Sequence, residues 1–214
     1  MQIRFPVVAM GSMIGVACAQ APQGWILRGN DPAGYEASVD RSVHRSGQSS
    51  ALYRARNPAA NKFGTLMQAI KADDYRSKRV RLRGYLKTED VERVQLWMRL
   101  DSPSMRMLGF DNMDARPIKG TTDWTAYDVV LDVPADASGV AYGVILAGPG
   151  QVWLDDVTLD TVDSSVATTG ISTEDLDRAN KAMEDRINEG SVPKPMPSYY
   201  ADRPRRPINL GFEP

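Results

Sequence analysis

The chain has 214 residues, with 26 Lys+Arg against 27 Asp+Glu, a single His, a single Cys and 42% hydrophobic residues. That is enough apolar material for one packed domain with appendages. The near-neutral balance argues against a nucleic-acid or anionic-membrane binder, which carries a basic excess, and one His with one Cys leaves no zinc cluster.

Residues 1–19 read as a secretory signal. Arg4 is the only charge, the run FPVVAMGSMIGVA is apolar but too short to span a bilayer, and Ala17-Cys18-Ala19 offers a small-x-small cleavage pattern before Gln20. Export to the periplasm or the extracellular space is expected, with no disulfide left once the leader and its Cys are removed. In the alternative reading Cys18 is a lipid attachment site, because Gly15-Val16-Ala17-Cys18 loosely matches a lipobox. No other stretch reads as a membrane span.

Residues 20–163 read as all-β, with strand-like runs separated by turn signals in the manner of a sandwich or barrel. After SSALYRAR and the turn cluster NPAAN comes GTLMQAI. In RVRLRGYLK, Val80, Leu82, Gly84 and Leu86 face one way, and Arg79, Arg81, Arg83, Tyr85 and Lys87 the other. VQLWMRL repeats the pattern, with Val94, Leu96, Met98 and Leu100 on the core side and Gln95, Trp97 and Arg99 opposite. AYDVVLDV, GVAYGVILAG and QVWLDDVTL complete the set.

Residues 164–207 change character. SSVATTG is a polar linker. STEDLDRANKAMEDRINEG predicts a helix over 172–189, capped by Ser172 with Asp175 in the reciprocal position and ended by Gly190. Its apolar stripe of Leu176, Ala179, Met183 and Ile187 is narrow, which suits docking on a flank. SVPKPMPSYYADRPRRP favours extended polyproline II. The last residues, 208–214, alternate again at Ile208, Leu210 and Phe212 and predict a terminal strand.

Catalytic signals are weak. His44 has no nucleophile motif around it and reads as a turn residue. Gly148-Pro149-Gly150 is a turn without phosphate-loop spacing. Glu89-Asp90 are chain neighbours, whereas a glycosidase pair faces itself across a cleft. No enzyme activity is expected. The stronger pattern is a binding face, with Arg83, Tyr85, Gln95, Trp97 and Arg99 on the non-core side of two consecutive strands. Gln68 joins from GTLMQAI, and Asp111 and Asn112 lie on the following turn. An aromatic ring beside amides, carboxylates and guanidiniums suits a sugar, whose apolar face stacks while its hydroxyls pair. The competing reading has the helix covering this face with Trp97 packed beneath it. Trp124 and Trp153 read as core residues, and Trp25 as a plug at the end of the domain.

The pieces HRSGQSSALY (44–53), DWTAYDVVLDVP (123–134) and VWLDDVTL (152–159) resemble the jelly-roll β-sandwich of carbohydrate-binding modules of families four, nine and twenty-two. FGTLMQ (63–68), LWMRLD (96–101) and FDNMDARPIKGTTDW (110–124) resemble more closely an uncharacterised bacterial domain found in exported proteins or attached to AraC-type regulators. The resemblance implies an all-β jelly-roll fold and says little about activity. It does not transfer a regulator's role, since no helix-turn-helix is read here. In the carbohydrate modules a structural calcium joins the first strand to the last. The matching positions are Asp156 and Glu213, with carbonyls near Ser46 and Gln48 as further donors.

Those sandwiches begin with a strand that this chain lacks before Gly24-Trp25, and Asn209-Leu210-Gly211-Phe212-Glu213 carries its pattern. The tail is therefore expected to fold back and complete the sandwich in cis. A flexible linker of this length spans roughly 35 Å. Strand exchange between molecules is the alternative. The leading functional expectation is an exported, non-catalytic module for a glycan or another envelope component. The runner-up is a structural or assembly protein whose tail or Pro-rich segment engages another protein, and a weaker third is a hydrolase accessory domain.

Overall fold

The computed structural model describes residues 20–192 and 196–213. The leader and Cys18 lie outside the described residues. Nine strands are described: β1 Ile26–Gly29, β2 Tyr35–Asp40, β3 Ser50–Ala55, β4 Phe63–Lys71, β5 Lys78–Asp101, β6 Met107–Asp111, β7 Ile118–Val133, β8 Gly139–Ala147 and β9 Gln151–Val162. One helix, α1, runs Thr173–Asn188, and a short 3-10 turn covers Pro197–Tyr200. None of the described helices is long and apolar enough to cross a membrane.

The chain folds as an antiparallel β-sandwich whose two layers share one strand. The 24-residue β5 pairs through its first half with β7 and β9, and through its second half with β8 and β6. The order across the hydrogen-bonded path is β1-β4-β8-β5-β9-β3-β2. Between the halves the register slips at Thr88 and Val91, and Asp90 takes a left-handed φ of +52°. Such irregularities bend a strand and let it pass from one layer to the other. Val80, Leu82, Leu86, Leu96, Met98 and Leu100 all face the core and are essentially inaccessible. The alternation read in RVRLRGYLK and VQLWMRL is real, but both runs belong to one bent strand. Arg83 and Tyr85 therefore lie on the outer side of one layer, and Gln95, Trp97 and Arg99 on the outer side of the other. They do not form a single face.

The C-terminal stretch packs on its own domain. Ser172 caps α1, its hydroxyl accepting from Asp175 N at 3.1 Å. Gly190, at φ +72°, ends the helix, with Ser191 N donating to Arg186 O. Residues 200–206 of the proline-rich stretch are docked along the sandwich. Tyr200 is buried, Lys71 N donates to Pro204 O at 2.9 Å, and Arg205 and Arg206 pair with Asp74 at 2.7 and 3.3 Å.

The terminal residues reach the place expected of them, but not as a strand. Asn209 and Phe212 adopt left-handed φ values of +49° and +57°, which a ladder does not accommodate, and one backbone bond, Val157 N to Leu210 O at 3.3 Å, joins the segment to β9. The segment is a plug. Phe212 is wholly buried, its ring 5.2 Å from that of Trp25. Trp25 Nε1 donates to Asn209 O, and Ser49 Oγ to Phe212 O. Trp153 is buried, with its indole N–H on Asp40. Trp124, expected in the core, is only half-buried and belongs to neither core cluster.

Candidate functional site: a half-roofed cleft on one layer

The outer side of the layer β1-β4-β8-β5-β6 carries two adjoining hollows. Strand alternation places Phe63, Thr65 and Met67 of β4, Ile145 of β8, Gln95, Trp97 and Arg99 of β5, and Phe110 of β6 along their floor. The first hollow, of about 630 Å³, is open. Its half-buried Phe63, Phe110 and Ile145 are bordered by Lys62, Glu92, Arg93, Gln95, Asn112 and Asp114. Gln95 Nε2 donates to Asn112 O at 2.7 Å, which fixes the amide beside the rings. Arg93 pairs with Asp114, yet its Nε is buried without a partner. A buried donor left unpaired is costly unless something else accepts from it.

The second hollow, of about 720 Å³, shares Phe63, Phe110 and Ile145 with the first but runs beneath α1 and the segment that follows it. Here Trp97 is 7% exposed, and its indole N–H donates to Thr65 Oγ1 at 2.8 Å. The roof is fastened at three points. Asn180 makes a two-way bond with the Met107 backbone at 2.9 and 3.0 Å, Arg106 pairs with Asp177 at 2.6 Å, and Tyr200 donates to Asp101 Oδ2 at 2.5 Å. Asp101 is fully buried, and burial raises its carboxyl above the ordinary range against the pull of Arg99. Burial likewise raises the Tyr200 phenol. The ring of Tyr200 lies against Gly139, where a β-carbon would come within 2.1–2.3 Å of its Cε1, Cδ1 and Cζ.

The eight residues expected at one binding face thus have different fates. Gln95 and Asn112 border the open hollow. Trp97 and Arg99 lie in the roofed one, with Arg99 tied to Asp101 at 3.0 Å. Asp111 is 3% exposed and serves as a staple, accepting from Arg116 and from Met113 N. Arg83 is held by both oxygens of Asp128, and Tyr85 lies 3.6 Å below the guanidinium of Arg45, both on the other layer. Gln68 points into the core between Leu66 and Ile70 and grips the tail. Its Oε1 accepts from Ile208 N at 3.0 Å and its Nε2 donates to Ile208 O at 2.5 Å. Phe63, Phe110 and Ile145 were not anticipated. The outward set of FGTLMQAI, which is Phe63, Thr65, Met67 and Ala69, was available by the same alternation.

The calcium positions do come together, though not as an ion's ligands. Asp156 is taken by Arg45 and by Ser46 Oγ, and Glu213 accepts from Gln48 N at 2.9 Å. Asp155 accepts from Arg45 N at 2.8 Å and from Ser46 N at 3.2 Å. The 45–48 loop presents N–H donors and a guanidinium, the complement of carboxylates and not of a cation. Among the described residues no three acidic, His or Cys side chains gather at one point. This donor set does not fit calcium.

No family model matches the chain. The uncharacterized HTH-type transcriptional regulator YbfP of Bacillus subtilis (strain 168) is 44% identical over 151 residues, which is 70% of this chain and 51% of the regulator. The chain therefore spans about half the length of the curated relative it matches. A single α-helix is described here, so the two packed helices of a helix-turn-helix are not among the described residues. Among solved structures, the CBM22-1 xylan-binding domain of Paenibacillus barcinonensis Xyn10C superposes with a TM-score of 0.50 at 14% identity over 69% of this chain and 91% of that one. The enzymatically active domain of bacteriophage CBA120 tailspike protein 4 gives a TM-score of 0.50 at 14% identity over 65% of this chain and 20% of that one. At these identities the likeness is one of fold, and the chain shares the β-sandwich of the carbohydrate-binding modules.

Proposed function

We propose that the chain is an exported, non-catalytic module that binds a glycan in the open hollow between Phe63 and Phe110. The observation that carries this reading is the arrangement there. Two half-buried aromatic rings stand beside the fixed Gln95 amide and an Arg93 donor that is buried and unsatisfied. Rings offer apolar area to a pyranose face, and planar amide and guanidinium groups pair with vicinal hydroxyls. The volume falls within the range of small-ligand sites. The reading of the tail as bait for another protein has less support, since Phe212 is buried and Arg205 and Arg206 are paired with the chain's own Asp74.

The test is binding of the chain to a broad panel of glycans and cell-wall polysaccharides, with Phe110→Ala and Phe63→Ala alongside. Affinity falling about tenfold in a folded Phe110 variant is expected. A panel without a binder would sink the reading. Fractionation of expressing cells checks export separately.

A further inference from the structure

The roofed hollow has a composition unlike the rest of the molecule. In a chain with 27 acidic residues, no Asp or Glu lines it among the described residues, while three arginines do: Arg28, Arg99 and Arg186. Arg99 is spent on Asp101. Arg28 and Arg186 are exposed and, among the described residues, pair with no carboxylate. Arg93, Arg106 and Arg178 near the cleft do pair with carboxylates, of Asp114, of Asp177, and of Glu174 and Asp175, while Arg203 lies over the Tyr199 ring and donates to Tyr199 O.

Between these cations the walls are apolar. Trp97 and Met67 form the floor, and Met183, Met196 and Tyr199 the roof. The roof is packed onto the floor at Tyr199 and Tyr200 and is looser at Met183 and Met196. Asn180 is the only buried residue of α1, and Met183 and Met196 remain 37% and 67% exposed. Methionine side chains adapt to flexible, elongated shapes. A sugar would find little here to accept its hydroxyl protons, because Asn180 is engaged with Met107 and carboxylates are missing. Arg28 donates to Leu27 O at 2.9 Å but has no carboxylate partner, and an apolar void edged by guanidiniums without carboxylates is complementary to an anion with an apolar chain.

We propose that this hollow binds a long-chain carboxylate, its alkyl chain between Trp97 and Met183 and its carboxylate paired with the guanidiniums of Arg28 and Arg186. The site uses the roofed half of the face, which shares Phe63, Phe110 and Ile145 with the open hollow, and its test uses neither a sugar nor a variant of those three residues.

Calorimetric titration of the purified chain with dodecanoate, and with dodecan-1-ol as the uncharged counterpart, tests it. Saturable binding is expected, with the acid favoured by about tenfold or more, as for a charge-assisted pair. The double variant Arg28→Gln/Arg186→Gln should bring the acid down to the level of the alcohol. Both residues are exposed, and an unchanged melting curve shows that the variant is folded. Met183→Glu, which places an acid in the acid-free hollow, should weaken the acid more than the alcohol. Absence of saturable dodecanoate binding would overturn the proposal. So would equal affinity for acid and alcohol, or a double variant that binds the acid as the parent does.

Discussion

The side-chain amide of Gln68 holds the backbone of Ile208 with both of its polar atoms, at 3.0 and 2.5 Å, as a neighbouring peptide group would. Tyr142 adds a third bond to the same oxygen at 3.1 Å. A buried glutamine at a strand position is tolerated because a segment 140 residues away satisfies it.

The tail is therefore predicted to be a structural part of the domain. Phe212→Ala should cost about 3–5 kcal/mol in denaturant unfolding. Gln68→Ala should cost about 1–3 kcal/mol, because it leaves two backbone groups unpaired. Both act on one plug, so the double variant should lose less than the sum. An additive double variant would mean that the two residues do not share the seat.

Tyr200 pins the roof by its ring as well as its hydroxyl. Tyr200→Phe removes the donor to Asp101, whose Oδ1 is already buried without a partner. A loss of about 1–3 kcal/mol is expected. Gly139→Ala should do more locally, because the new β-carbon occupies the place of the ring. Amide exchange in 197–206 should accelerate strongly in that variant while the strands stay protected. Unchanged protection there would show that Tyr200 is not seated on Gly139.

Acid should loosen the RPRR clamp. The guanidiniums of Arg205 and Arg206 hold the Asp74 carboxyl below its ordinary value of 3.8. A depressed carboxyl gives stability that is complete above the ordinary value and is lost as pH falls through the lower, folded one. The group is at the surface, so the effect is small and screened by salt. Exchange of the Lys71 amide, which donates to Pro204 O, should rise relative to its intrinsic rate on acidification below about pH 4. Asp74→Asn should raise it at neutral pH and remove the dependence.

Trp97 is predicted to matter for stability. Its indole N–H is committed to Thr65 and its ring is almost wholly covered. Trp97→Ala should cost about 3–5 kcal/mol. Binding of a glycan in the open hollow should change far less in Trp97→Ala than in Phe110→Ala. The reverse order would place the sugar under the roof.

Much of this architecture was legible in the amino-acid order. Period-two alternation told which side of each run faces the core, and it was right for every apolar residue from Val80 to Leu100. Alternation is local, however, and does not say to which layer a strand belongs. The bend at Thr88–Val91 separated Tyr85 from Trp97, and nothing in TEDVE announces that a single strand continues through it. The same locality explains Gln68, since Leu66 and Ile70 already placed it inside, while the partner that makes this acceptable lies in the tail. Ile208, Leu210 and Phe212 alternate like a strand, but Asn209 and Phe212 use left-handed conformations to turn the ring inward. The roofed hollow depends on where α1 rests, which the narrow stripe of Leu176, Ala179, Met183 and Ile187 suggested without specifying the surface beneath.

The position of Phe212 also orders events in time. A protein made from its N-terminus adds residues at about 5–20 per second. All nine strands are complete by Val162, yet the aromatic seat formed by Trp25 and Tyr142 stays empty until Phe212 has been added and has left the ribosome. The nascent sandwich is thus held short of its final stability until Phe212 has reached its seat against Trp25.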